Sequence, residues 1–244
     1  WSQAVTIALV VASGIGGFVA TLSAVESLEL ARDAFYAEGH FADAFARIKR
    51  APDGVAQRLG ELPGIADTQT TVEAMARITV PTTVDPVMGQ LIGWDERRAQ
   101  RLDRVQLRTG RWPTAGTQAG GDMEAVVAEG FALAHKMQPG ATVSALVNGK
   151  RRTLRITGTA LSPEYIFGGL MGVPDMRAFG VFWVAHEELA AAMDMRGAFN
   201  RVAIKLAPGA SEPAVLDAVT RRLAGLGGSP AHGRRPRPSR RPRC

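Results

Sequence analysis

No charged residue occurs between Trp1 and Val25; the first is Glu26. A helix rises about 1.5 Å per residue, so roughly 20 apolar residues cross a bilayer core. A buried helix of a soluble protein rarely stays uncharged over such a length. Residues 4–25 are therefore predicted to form a transmembrane helix. A secretory signal peptide is the competing reading. It calls for a basic start, a shorter apolar stretch and a small-x-small cleavage site. No basic residue precedes the run, and Leu22-Ser23-Ala24 is a poor cleavage box. Ala12, Gly16 and Ala20 form one stripe of small residues, with Ser13, Gly17 and Thr21 beside it. Such stripes let helix backbones approach closely in lipid, so a helix partner is expected.

The rest of the chain has the composition of a folded body, with 46% hydrophobic and 21% charged residues overall. A helical pattern continues over 26–36. Residues 41–48 alternate, with Ala42, Ala44, Ala46 and Ile48 on one face, and read as a strand. Pro52-Asp53 opens a short helix with Val55, Leu59 and Leu62 at helical spacing, stopped by Pro63-Gly64. Val72, Ala74, Ala76, Ile78 and Val80 then mark the clearest strand. The middle is rich in strands and turns: a strand over 87–94, a turn at 110–113, a loop over 114–122, and a strand over 124–128 leading to a helical stretch. Asn148-Gly149 sits between two alternating runs and supplies the positive φ values of a hairpin turn. Residues 179–184 read as a strand, 186–195 as a helix and 200–207 as a strand. A last helix is expected from a Ser211 cap to about Leu226, burying Leu216, Val219, Leu223 and Leu226. The predicted fold class is α+β: an N-terminal transmembrane helix, then a domain of two βα units around a strand-rich insertion. The expected boundaries are 1–26 for the helix, 27–228 for the body and 229–244 for a disordered tail.

The net charge of +6 suggests a nucleic-acid partner, but its distribution removes that reading. Six arginines and no acid lie in 229–244, which leaves 23 basic and 23 acidic residues before them. The body is neutral, and the basicity belongs to a proline- and arginine-rich tail that cannot build a core. The tail reads as a basic arm, a patch for anionic lipid, or an out-of-frame translation. The single cysteine, Cys244, excludes an internal disulfide framework. No phosphate-binding GxxxxGK[ST] loop and no GxSxG elbow occur. His40, His135, His186 and His232 lack metal-ligand spacing. Glu124, Glu129 and Glu164 could serve as acid or base, but nothing in the sequence pairs them, so each is expected to be solvated. No catalytic constellation is present; the chain is expected to be no enzyme and to need no cofactor.

Several segments, in order, resemble the extracytoplasmic region of FtsX-like, MacB-type ABC-transporter permeases. They are the span with Ser27-Leu28, Gly110-Arg111-Trp112-Pro113, Glu124-Ala125-Val126-Val127, and Gln138-Pro139-Gly140, where Ala141 replaces the usual Asp. Ile156-Thr157-Gly158-Thr159-Ala160 follows the hairpin. Ser162-Pro163-Glu164-Tyr165, Pro174-Asp175, 179–183 and Gly197-Ala198-Phe199-Asn200 are the most specific. Glycines and prolines dominate these motifs, which favours fold maintenance over ligand contact. The resemblance implies a permease subunit whose extracytoplasmic domain couples ATP-driven motion to a substrate or partner. Its partners would be a cytoplasmic ABC ATPase and further permease helices or a second permease copy. The body would lie outside the cell membrane, anchored by one helix, in a truncated permease lacking the family's three later helices. Tyr165, Phe167, Phe179 and Trp183 are candidates for a surface meeting a lipid-like substrate or partner protein, with core packing as the alternative. A single-pass anchored sensor or adaptor, and a secreted hydrolase behind a signal peptide, are the rival readings.

Overall fold

The structure, a computed structural model, describes residues 40–95, 101–116, 122–162, 164–165, 175–227 and 232–233, together with Gln3, 16–18, Thr21 and Ser23. The chain divides into two units, 1–39 and 40–244. The described residues of the first unit are helical, and the Thr21 hydroxyl donates to the Gly17 carbonyl at 2.8 Å. Most of the expected 4–25 span, the 26–36 helix and nearly all of the tail lie outside the described residues. Among the described residues, no helix is long and apolar enough to cross a membrane.

The second unit is built from two sheets. The smaller has the order β11-β1-β10-β2, formed by β1 (Ala44–Pro52), β2 (Ile65–Thr71), β10 (Ala198–Leu206) and β11 (His232–Gly233). Strand β10 runs antiparallel between β1 and β2, so helix α1 (Asp53–Gly60) links two parallel strands across it. Helix α4 (Glu212–Leu223) follows β10. Ala44, Ala46, Ile48, Val202 and Ile204 turn to the helices and meet Val55, Leu59, Val215, Val219 and Leu223 in one core. The strand period of two leaves Phe45, Arg201 and Ala203 on the opposite face.

The larger sheet contains β3 (Glu73–Thr79), β4 (Val87–Trp94), β5 (Gln106–Gly110), β6 (Met123–Ala128), β7 (Thr142–Val147), β8 (Lys150–Leu161) and β9 (Phe179–Ala185). Its order is β5-β8-β6-β9-β4-β3-β7, and β7 also pairs with β8. Six strands thereby close into a ring, which removes sheet edges, while β5 extends β8 on its outer side. Val72, Ala74, Ala76, Ile78, Val143, Ala145, Leu154, Ile156, Phe182 and Val184 fill the ring. Helices α2 (Glu129–Ala134) and α3 (His186–Ala192) add Phe131, Ala132, Leu189 and Ala190 to the same core. Strand β9 is buried along its whole length because a second cluster of Ile92, Val126, Ala160, Phe179, Val181 and Trp183 covers its other face. That two-sided burial accounts for its unbroken apolar sequence.

The two βα units and the strand-rich insertion are present, but the elements are shared out differently from the sequence reading. The strand that completes the first unit is β2, and the apolar strand over 73–79 belongs to the ring. Strand β9 and helix α3 are also ring elements, so β10 and α4 alone make the second unit. The Asn148-Gly149 turn has φ values of 46° and 73°, as the hairpin requires. Helix α4 buries Val215, Val219 and Leu223, whereas Leu216 and Leu226 are only half-buried. The Ser211 side chain makes no capping hydrogen bond.

Candidate functional site

The chain crosses between the ring and the small sheet twice, at 71–73 and at 193–198. The two crossings are clasped together. The Glu73 N–H donates to Asn200 Oδ1 and Asn200 Nδ2 donates to the Glu73 carbonyl, both at 2.7 Å. A third contact comes from 101–103, between β4 and β5. Asp103 Oδ1 accepts the Ala42 N–H at 2.9 Å, and Gln69 Oε1 accepts the N–H groups of Arg101 and Leu102. Arg101 also pairs with Asp67 and donates to the Thr68 carbonyl. These contacts cover part of β2, an edge strand of its sheet.

A buried ionic cluster fills the joint. Arg201 projects from β10 on the face away from the helices, 4.7 Å above the Phe45 ring. Its Nε lies 3.0 Å from Glu73 Oε1, and its Nη2 pairs with Glu164. Arg47 reaches Glu73 Oε2 at 3.5 Å. The Tyr165 hydroxyl donates to Glu73 Oε1 and accepts from Gln90 Nε2. Burial pushes the Glu164 carboxyl up to about 7, with Asp103 and Glu73 reinforcing the effect and Arg201 opposing it. Burial raises Asp103 and Tyr165 as well. Burial works against the charge of Arg201, yet the acidic groups around it hold its pKa above the ordinary arginine value. A buried guanidinium bound on two sides ties the sheets together at the cost of desolvation.

Beside this cluster a cleft of about 710 Å³ opens between α1 and β2 on one wall and the ends of β4 and β9 on the other. Trp94, Trp183, Tyr165 and Glu164 line the ring side; Gln57 and 66–71 line the other. Its volume is that of a small-molecule site, and its lining mixes aromatic with polar groups. Among the described residues, no group of three or more His, Cys, Asp or Glu side chains is placed to hold a metal ion.

Of the residues expected to form a binding surface, Tyr165 and Trp183 reach this cleft and meet edge to face, with ring centroids 6.5 Å apart. Trp183 is nevertheless buried, as is Phe179, which instead lines a smaller hollow of about 190 Å³ behind Tyr165. Phe167 lies outside the described residues. The expectation of solvated carboxylates fails at two of three positions. Glu124 is buried and takes both arms of Arg111, at 2.7 and 2.5 Å, plus the N–H and hydroxyl of Thr114. Hydrogen bonding by Arg111 lowers its pKa to about 2. Glu164 belongs to the joint. Glu129 is half-exposed with Arg108 at 3.7 Å. Glu73 and Arg201 were not among the expected site residues, and Asn200 entered only as the end of the Gly197-Ala198-Phe199-Asn200 motif, with no role given to its side chain. Their signal is a charged or amide residue set in an otherwise apolar strand.

A family model described as the MacB-like periplasmic core domain matches residues 4–222. The fold is similar to the periplasmic region of MacB from Actinobacillus actinomycetemcomitans, at 11% identity, with 80% of this chain and 91% of that chain covered and a TM-score of 0.47. It is also similar to the extracellular domain of the noncanonic ABC-type transporter YknZ from Gram-positive bacteria, at 11% identity, covering 77% and 97% with a TM-score of 0.47. No curated protein matches the chain.

Proposed function

The chain belongs to the MacB-like periplasmic core domain family, and we propose that it works as the extracytoplasmic part of an ABC-transporter permease. In this reading the domain carries out no chemistry. It passes motion, driven by ATP hydrolysis in a separate cytoplasmic subunit, to a substrate or partner outside the membrane. Residues 4–25 would anchor it, and further permease helices or a second permease copy would complete the transporter.

One observation carries the mechanical part of the reading. The strand that opens the body has a hydrogen-bonded neighbour in β11, which lies in the segment expected to be a disordered tail, with Ala44 paired to Gly233 and Phe45 to His232. A displacement applied to both flanks of the body is therefore delivered first to the small sheet, and through Ala42 to the 101–103 segment. Among the described residues, the ring is tied to the small sheet through the two clasped crossings, the 101–103 contact and the Arg201 cluster. Rigid sheets joined at a few residues suit hinge motion, and the cleft beside that hinge would widen or narrow with it.

The test is to express the chain with an ABC ATPase and the remaining permease helices, and to staple the two sheets by a disulfide across the cleft. ATP turnover should fall on oxidation and recover with reductant. Turnover indifferent to the staple would overturn the coupling role. Protease digestion of the body from outside intact spheroplasts checks its location.

A further inference from the structure

Three carboxylates crowd one buried guanidinium at the joint. Glu73 comes from β3, Glu164 follows β8, Asp103 comes from the 101–103 contact, and Arg201 comes from β10. Arg47 is half-exposed and, among the described residues, pairs with Glu73. Lys205 also acts on Asp103, but its amino group is committed to Asp43 and to the Phe41 carbonyl. The buried charge does not balance when every acid is ionised, and like charges in a desolvated site force a proton onto one of them. The geometry selects which. Glu73 receives two guanidiniums and a phenol, and Asp103 receives a backbone N–H. Among the described residues, Glu164 has the other arm of Arg201 and lies beside the Tyr165 hydroxyl, whose one proton goes to Glu73. It also lines the cleft, so water can bring or remove its proton.

We propose that Glu164 is a proton-operated latch on the joint between the two sheets: the protonated carboxyl favours the closed joint, and its ionisation favours an open cleft. The sign follows from linkage. In the closed joint the carboxyl titrates near 7, raised from 4.5 by burial. In an open cleft it meets water and returns toward the lower value. The closed state then binds the proton more tightly, so closure is favoured below the lower value and progressively lost as pH rises through about 7. This goes beyond the permease reading; it rests on the hinge motion proposed above and not on the ATPase, the anchor or any partner.

Hydrogen exchange at the Glu73 amide tests the latch, because its partner, Asn200 Oδ1, lies across the joint. With full-length chain, and after normalisation for the intrinsic pH dependence of exchange, the open-to-closed ratio should rise about tenfold between pH 6 and pH 8. Glu164→Gln, which mimics the protonated carboxyl, should abolish that rise and keep the amide as protected as at low pH. His186→Gln, at the cleft wall, should leave the rise intact. Equal protection of the unaltered chain at the two pH values would overturn the latch, as would a rise that persists in Glu164→Gln. Should that variant fail to fold, the Glu164 carboxyl ¹³C signal of the unaltered chain decides. A midpoint near 7 supports the latch, and one near 4.5 refutes it. Either refutation leaves the coupling role untouched, because the disulfide staple reads that separately.

Discussion

The carboxamide of Asn200 completes both backbone hydrogen bonds of Glu73, donating to its carbonyl and accepting from its N–H at 2.7 Å each. A side chain thereby imitates a neighbouring strand where the two crossings between sheet and ring meet. The pairing requires a group with one donor and one acceptor side by side, which asparagine supplies and aspartate does not.

Asn200→Ala leaves both groups of a buried residue unsatisfied. The expected loss is about 2–4 kcal/mol, from roughly 1–2 kcal/mol for each orphaned group, the lower part of the usual range. For a body of this size that lowers the melting temperature by about 5–12 °C. Asn200→Asp should do no better, since it cannot donate to the Glu73 carbonyl and adds a charge beside an acidic cluster. Thermal unfolding of the three proteins checks this. An Asp variant as stable as the parent would show that the clasp is not the source of the stability.

Arg111 and Glu124 join two motifs, Gly110-Arg111-Trp112-Pro113 and Glu124-Ala125-Val126-Val127, through a two-armed ion pair. The folded-state pKa of Glu124, lowered to about 2 chiefly by Arg111, lies below its ordinary value of 4.5. Its stabilisation is therefore complete above the ordinary value and is lost as pH falls through about 2. Arg111→Ala should cost about 1–3 kcal/mol, less than a fully buried pair because Arg111 is half in water. Arg111→Lys should recover only part, lacking the planar fork. Acid titration of stability should lose its segment below the ordinary carboxylate range in Arg111→Ala; an unchanged profile would dismiss the pair.

Alternation along 72–80 was legible because one face of β3 lies in the ring core, and the Asn-Gly hairpin because its turn chemistry is local. Strand β2 was not. Its sequence, Ile65-Ala66-Asp67-Thr68-Gln69-Thr70-Thr71, lines a polar cleft on a sheet edge, so it carries no apolar alternation to read. Periodicity also reports which face is buried and not which sheet a strand joins, so β3 and β9 could not be assigned to the ring. The joint was hidden for a related reason. Glu73, Glu164 and Arg201 are far apart in sequence, and a lone charge in a strand gives no hint of its partner. Tyr165 and Trp183 were found as aromatic neighbours of the later motifs, though burial makes Trp183 more wall than surface.

Glycine substitutions separate close approach from backbone freedom. At Gly158 a Cβ would lie 2.3 Å from the Thr109 carbonyl oxygen, a backbone atom that cannot swing aside. Gly158→Ala should therefore shift β5 against β8 and destabilise by about 1–3 kcal/mol or more, as overpacking does. Gly54 lies in α1 with nothing within 4 Å of its missing Cβ. Gly54→Ala should stabilise by about 0.5–1 kcal/mol through helix propensity. Opposite shifts in urea midpoint are expected, and a neutral Gly158→Ala would contradict the β5–β8 contact.

Helix α4 offers a comparison in which only burial differs. Leu223 is fully buried against the small sheet, whereas Leu216, one of the leucines expected on the same stripe, is only half-covered. Pro213 in the first turn fixes the start of the helix without a side-chain cap. The buried stripe then falls on Val215, Val219 and Leu223. Leu223→Ala removes packed atoms and leaves a cavity, for about 2–5 kcal/mol. Leu216→Ala gives up only part of its area and relaxes into solvent, for about 1 kcal/mol or less at the usual area coefficient. Calorimetry on the two variants should show the larger fall in melting temperature for Leu223→Ala. Equal falls would mean that the helix is rotated about its axis relative to the sheet, with Leu216 facing inward.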